Sequence, residues 1–287
     1  MIDLHLHTTA SDGRLTPAQL VARAATAGLT TMSVTDHDTV ASIAEVTALA
    51  GPLGIRVVAG IEVTAVDSGR DVHVLAYFID PGSASLAAFL ERQRGLRLSR
   101  VREIGARLAT LGLPVDLEGV FASALDRPGS SVGRPQIARA LVAAGHVGSV
   151  QEAFDKLLAT GQPAFVPRTG PSPADVVHIV HQAGGIASLA HPAATKRDDL
   201  IGPLADHGLD AIEVYHSDHT PADEREYLNL AIRFNLAVSG GSDFHGDDPS
   251  AGGRSRRSTI GVVALPAEAF ATLEARARAR QPSRAPL

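Results

Sequence analysis

Strand and helix signals alternate along most of this chain, and its ionisable residues gather just past the strands. Strand-like runs cover residues 1–6, 30–35, 55–63, 72–79, 186–190, 210–215, 236–239 and 259–264. Thr16-Pro17-Ala18-Gln19 has capping-box spacing with Pro at the first helical position, and it opens a helix to about Ala27. Further helical patterns occupy 39–50, 173–183, 197–207, 221–234 and 267–279. Repeated βα units predict a mainly parallel sheet, because parallel neighbours need crossover connections. So many strands favour a closed or distorted barrel over an open doubly wound sheet. A barrel in turn places polar chemistry at the C-terminal strand ends.

One stretch breaks the alternation. Residues 84–160 carry helical periodicity without a strand. The expected organisation is therefore a discontinuous α/β barrel over 1–82 and 170–279, a helical insertion over 83–169, and a flexible tail at 280–287. With 287 residues, 45% of them apolar, the chain has enough material for this. Arg92, Arg94, Arg97, Arg100, Arg102 and Arg107 form a basic run on one predicted helix. Such a run is a solvated face or a guide for a nucleic-acid backbone; Arg254, Arg256 and Arg257 pose the same question. The net charge of −5 argues against a globally basic coat. No apolar run is long enough for a membrane span and the start lacks a signal-peptide pattern, so a cytoplasmic location is expected.

The polar clusters narrow the chemistry. His5 and His7 project from the same side of the first strand. Thr35-Asp36-His37-Asp38 follows the second strand, Glu62 ends the third and His73 lies in the fourth. His191-Pro192, then Glu213 with His216, then Gly240-Gly241-Ser242-Asp243-Phe244-His245 follow later strands. Loops at one barrel mouth would bring these groups together. Buried charges cost several kcal/mol each unless paired or ligated, and divalent cations would compensate them. The chain has no cysteine, so any metal is held by nitrogen and oxygen. His146, His178, His181, His207 and His219 read as ordinary core or surface residues.

His5-x-His7 with Asp12, Thr35-Asp36-His37, Glu62, His73, His191-Pro192 and Gly241-Ser242-Asp243-Phe244-His245 resemble, in order, the four motifs of the PHP (polymerase and histidinol phosphatase) family. Gly133-Arg134-Pro135, Phe165-Val166-Pro167-Arg168 and Val214-Tyr215-His216-Ser217 are similar to its stand-alone bacterial members that act on nucleotides. The resemblance implies a distorted (β/α)7 TIM-like barrel with a trinuclear metal site. One metal would lie among His5, His7, Glu62 and Asp243. Glu62 would bridge to a second, held also by His73 and His191, and Asp12, His37 and His245 would hold a third. Manganese is the first expectation, with iron or zinc as alternatives. Asp36 and Asp38 would orient neighbouring histidines.

The implied activity is hydrolysis of phosphate monoesters of small nucleotides, nucleoside 3′,5′-bisphosphates or monophosphates. A hydroxide bridging two metals would attack phosphorus in line. Arg134 and Arg168 would fork onto a substrate phosphate, and His216 would bind phosphate or protonate the leaving oxygen. The alternatives are a 5′→3′ exoribonuclease on short 5′-phosphorylated RNA, a histidinol-phosphatase-like enzyme, and a non-catalytic metal-binding PHP module. The expected partner is a nucleotide or short oligonucleotide substrate, with no membrane and no obligate protein partner.

Overall fold

A computed structural model describes residues 1–124, 131–247 and 259–280. Seven strands form one sheet in sequence order. They are β1 (Ile2–Leu6), β2 (Thr31–Val34), β3 (Arg56–Asp67), β4 (Arg70–Tyr77), β5 (Ile186–Leu189), β6 (Ala211–His216) and β7 (Ala237–Gly241). The sheet curls back on itself just past β1 and β7. Leu6 bridges Phe244 in parallel, and His7 N donates to Phe244 O at 3.0 Å. Gly241 permits this closure, since a Cβ there would stand 2.3 Å from His5 N.

The barrel helices are α1 (Pro17–Thr26) and α2 (Ile43–Ala50) before the interruption. The interruption holds α3 (Ala84–Thr110), α4 (Leu117–Ala124), α5 (Arg134–Ala143) and α6 (Val150–Ala153). The barrel then resumes with α7 (Pro173–Gln182), α8 (Pro192–Thr195), α9 (Ile201–Asp206), α10 (Pro221–Arg233) and α11 (Ala267–Arg280). Thr16, Ser172 and Thr220 cap α1, α7 and α10 with capping boxes and Pro in the first turn. The helix expected over 197–207 is divided. A 3₁₀ turn at Asp198–Leu200 leads into α9, and α8 precedes both.

Four of the strand pairs are parallel, but β3–β4 and β4–β5 are antiparallel. The reversal comes from a two-residue hairpin. Ser68 (φ 50°) and Gly69 (φ 75°) both adopt left-handed backbone, as a type I′ turn requires. The strand expected at 259–264 is absent, and residues 259–263 form turns and bends. β1 and the end of β7 already close on each other, leaving no open edge for an eighth strand. Ile260 of this segment packs into the barrel core, and just past it Leu265 N donates to Ile2 O at 2.9 Å.

Packing leaves one end of the barrel open to chemistry. At the N-terminal end, Leu265, Phe270 and Leu273, the last two from α11, pack with Leu4, Val58 and Leu75 into a sealed apolar plug. Burying each such side chain contributes about 1.5–3 kcal/mol. At the other end the strands finish in the polar clusters. The interruption has its own core, in which Val101, Ile104 and Leu108 meet Ile137, Leu141 and Leu158. α3 serves both cores, because its first half places Leu86, Phe89 and Leu90 in the barrel core.

The basic run on α3 does not make a continuous cationic face. Arg97 and Arg100 turn inward, to Asp38 and to Val166 O respectively. Arg107 pairs with Glu103 at 2.8 Å, and Arg102 lies 5.3 Å from the Phe121 ring. Arg254, Arg256, Arg257 and residues 281–287 lie outside the described residues. Among the described residues no helix is long and apolar enough to cross a membrane.

Candidate metal centre

Glu62 sits at the middle of the open mouth, almost fully buried at 1% exposure. Its Oε2 lies 3.3 Å from His5 Nε2, 3.3 Å from His7 Nε2 and 3.2 Å from His37 Nδ1. Its Oε1 lies 2.8 Å from His73 Nδ1 and 3.0 Å from His191 Nε2. One carboxylate thus faces five imidazoles from four segments. Asp243 Oδ1 adds contacts to His5 at 3.3 Å and His7 at 3.1 Å. Asp12 lies 3.2 Å from His245 Nε2 and 3.8 Å from both His37 Nε2 and His7 Nδ1.

Within each of four overlapping sets the donor atoms fall within 4.8 Å of one another: His5, His7, Glu62 and Asp243; His7, Asp12, His37 and His245; His5, Glu213 and His216; and His37, Glu62 and His73. His191 joins the last through Glu62 and through His73 Nδ1 at 3.3 Å. The structure therefore gathers every residue that the motif resemblance assigned to metal. It also draws His7 toward the Asp12 set and His37 toward the Glu62–His73 set.

Hydrogen bonding does not account for this arrangement. His7 is fully buried, yet neither of its ring nitrogens has a hydrogen-bond partner. His37 Nδ1 and His191 Nδ1 are also buried without one. Leaving such groups unsatisfied costs about 1–3 kcal/mol each. Imidazole nitrogens turned toward carboxylate oxygens at this spacing suit a divalent cation between them, and the donor set is nitrogen and oxygen only.

The electrostatics reflect the crowding. Burial pushes the Glu62 carboxyl up, but His37, His73 and His5 outweigh it and hold it well below the usual range. Burial opposes ionisation of Asp12 likewise, and His245 and His37 reverse that. Burial pushes His37 down to about 3, whereas Asp12 and Asp243 overcome burial to raise His245 to about 9.

A surrounding layer fixes these groups. Glu213, fully buried, uses both oxygens: Oε1 accepts from His5 Nδ1 at 2.9 Å and Oε2 from the His191 N–H at 2.7 Å. His191 needs such a hold, because its φ of 27° is rarely adopted by a side-chain-bearing residue. Asp3 Oδ1 accepts from His5 N and from Ser242 N, tying β1 to the segment that carries Asp243. Asp36 accepts from Thr8 N and Oγ1, Ser11 Oγ and Ser42 Oγ, which pins the loop bearing Asp12. Gly13 lets that loop fold over β1, since a Cβ there would lie 2.6 Å from His7 C. Asp38 accepts from Thr64 N at 2.7 Å and Arg97 Nε at 2.6 Å.

The residues expected at substrate fall in two places. Arg134 and Arg168 reach Asp71 at 3.2 and 3.4 Å, beside His73 on β4. His216 is fully buried. Its Nδ1 accepts from Asp218 N at 3.1 Å, so Nε2 carries the proton that faces Asp243 Oδ2 at 3.3 Å. Glu213 was visible in the sequence as part of a strand-end cluster, but its bonds were not. Asp3 and Asp71 carried no sequence signal beyond a charged residue type, and Arg97 was visible only as a member of the basic run.

The same features recur in known proteins. Residues 3–110 match the PHP domain family. The chain is 35% identical over 280 residues to the 3′,5′-nucleoside bisphosphate phosphatase of Chromobacterium violaceum, covering 96% of this chain and 97% of that one. It is 36% identical over 251 residues to the 5′-3′ exoribonuclease Rnm of Escherichia coli, covering 85% and 84% of the two chains. A structure assigned as a metal-dependent phosphoesterase, from Bifidobacterium adolescentis, superposes with a TM-score of 0.86 at 32% identity over 96% of each chain. The chain belongs to the PHP family and is a hydrolase of phosphoric esters.

Proposed function

We propose that this protein is a divalent-metal-dependent phosphoesterase that releases phosphate from small nucleotides, nucleoside 3′,5′-bisphosphates or monophosphates. The observation that carries this reading is Glu62 and Asp243 facing buried imidazoles whose nitrogens lack hydrogen-bond partners. His5, His7, Glu62 and Asp243 would hold one ion. Glu62, His73 and His191 would hold a second, and Asp12, His37 and His245 a third. Manganese is our first assignment, ahead of iron or zinc, for a set of imidazoles and carboxylates without thiolate. Bound ions supply Lewis-acid charge that activates water and neutralises phosphoryl oxygens.

The chain's own residues do the rest. Glu213 fixes the His5 ring through Nδ1, which aims Nε2 into the centre. His216, buried beneath Asp243, orients that carboxylate rather than touching substrate. Asp71 holds Arg134 and Arg168 at the edge of the mouth, where their guanidinium forks receive phosphoryl oxygens. His73 and His245, at 22% and 28% side-chain exposure, flank the opening through which substrate enters. The reaction consumes one water, breaks one P–O ester bond and returns a proton to the leaving oxygen. We place the protein in the cytoplasm.

A second reading, 5′→3′ exoribonuclease action on short 5′-phosphorylated RNA, rests on the likeness to the Escherichia coli enzyme. Phosphate and nucleotide release from AMP, adenosine 3′,5′-bisphosphate and a 5′-phosphorylated oligoribonucleotide, with and without added manganese, tests both. Metal-dependent turnover of the bisphosphate or AMP supports the first, and stepwise shortening of the oligonucleotide supports the second. Inert protein in all three assays refutes both.

A further inference from the structure

Arg97, on α3, joins three segments that are distant in sequence. Its side chain is only 10% exposed. Nε donates to Asp38 Oδ2 at 2.6 Å, Nη2 to Thr64 Oγ1 at 3.0 Å and Nη1 to Val132 O at 3.3 Å. All three guanidinium nitrogens are thus engaged, each by a different residue.

Two of these partners are fixed points of the barrel. Asp38 and Thr64 are both buried. Asp38 N donates to Glu62 O at 2.9 Å, and Asp38 Oδ1 accepts from Thr64 N at 2.7 Å. The pair lies where the chain after β2 meets β3, beside His37 and Glu62. The third partner belongs to the insertion. Val132 precedes Gly133 and Arg134, and Asp71 holds the Arg134 guanidinium at the edge of the mouth. Gly133 lets Arg97 lie against the backbone there, since a Cβ would stand 3.2 Å from Nη1. The same segment is also bound to the β1–α1 loop, by Ser131 N donating to Ala10 O at 2.9 Å and Gln136 Nε2 to Ser11 O. Those bonds are neutral, and Arg97 supplies the charged tie to the side of β2 and β3.

We propose that Arg97 is a positioning residue for substrate phosphate: anchored on Asp38 and Thr64, it holds Val132 and so sets Arg134 at the mouth. It acts through Arg134 and does not touch substrate. This rests on the phosphoesterase reading above and deepens it. Lysine is a poor substitute, because an ammonium is a single point of charge on a flexible stem, whereas the planar fork spans all three partners.

The test is a double-mutant cycle on the metal-loaded protein. It uses whichever of AMP, adenosine 3′,5′-bisphosphate or the 5′-phosphorylated oligoribonucleotide the wild type turns over. Arg97→Met would leave Asp38 buried and unpaired, which threatens the fold. Arg97→Lys keeps a charge beside Asp38 and is the variant of choice. Its kcat/KM should fall about tenfold, and that of Arg134→Ala by about as much or more. With Arg134 already removed, Arg97→Lys should cost less than about twofold further, because the two residues act as one unit. Thr64→Val deletes one arm and no charge. It should show a smaller fall, about threefold, with the same dependence on Arg134.

Two readouts do not need turnover. Metal content by elemental analysis should match wild type in Arg97→Lys. Amide hydrogen exchange in the same variant should quicken across residues 131–136 and stay unchanged in β1. An equal loss with and without Arg134, no loss, a loss that follows missing metal, or unchanged exchange at 131–136 overturns the positioning role. Each of these leaves the phosphoesterase reading intact. Wild-type protein inert on all three substrates overturns that reading, and this inference with it.

Discussion

Each end of the barrel holds histidine beside buried carboxylate. At the N-terminal end Asp210 Oδ2 meets His181 Nε2 at 2.8 Å and the Ala187 N–H at 3.0 Å, while Oδ1 takes Arg280 Nε at 2.6 Å. Every one of those contacts is a hydrogen bond with a donor facing an acceptor. At the C-terminal mouth, His7 lies 3.3 Å from Glu62 and 3.1 Å from Asp243 but has no hydrogen bond at either ring nitrogen. The first cluster is satisfied by its own hydrogen bonds, whereas the second leaves buried imidazole nitrogens without one, which is what the proposed metal reading rests on. Burial and charge are common to both, so unmet donor geometry is what distinguishes a site from a strut.

Substitutions at the two ends should therefore fail in different ways. The largest effect belongs to the mouth. Asp243→Ala or His191→Ala should abolish phosphate release by more than the ~10–100-fold typical of supporting residues, with the circular dichroism of the folded chain retained. Full activity in either would remove the metal reading. Next comes Glu213→Gln, which weakens the hold on His5 and His191 together. It should cost about 10–100-fold in metal affinity, measured by competition with a chelator, and in turnover. At the opposite end Asp210→Ala should leave turnover per folded molecule intact. It should cost about 1–3 kcal/mol of stability by orphaning the Ala187 amide, visible as a fall of several degrees in Tm.

That last effect has a pH signature. Burial pushes the Asp210 carboxyl up, but His181, the Ala187 amide and Arg280 outweigh it and leave it below its ordinary value. A depressed carboxyl stabilises the fold above its unfolded pKa, and this is lost as pH falls through the folded pKa. The Tm gap between Asp210→Ala and wild type should thus be full at neutral pH and shrink in acid. The smallest effect is expected at Arg92, an exposed member of the α3 basic run, where Ala should change stability by less than about 0.5 kcal/mol.

The contrast also explains what was readable in the sequence. His5 and His7 announce themselves because strand periodicity alone sets them on one side. Asp243 and His245 do so because a carboxylate and an imidazole after Gly-Gly-Ser have little structural use at a strand end. His181 and Asp210 carry no such signal, and treating His181 as an ordinary residue agrees with its role as a strut. The antiparallel β4 had a readable cause in Asp67-Ser68-Gly69-Arg70, where a left-handed pair forces a hairpin, but alternating βα signals on both sides obscured it. The strand expected at 259–264 failed for a tertiary reason, since barrel closure between β7 and β1 is set by contacts distant in sequence. The roles of Glu213 and Asp3 were hidden similarly. A carboxylate at a strand end looks the same whether it faces a metal or the back of a histidine.

The most direct test is elemental analysis of the purified protein alongside phosphate release from adenosine 3′,5′-bisphosphate before and after chelation. Divalent metal approaching three equivalents per chain, with activity lost on chelation and restored by manganese, is the expected result. Metal-free protein that hydrolyses the bisphosphate undiminished would contradict it.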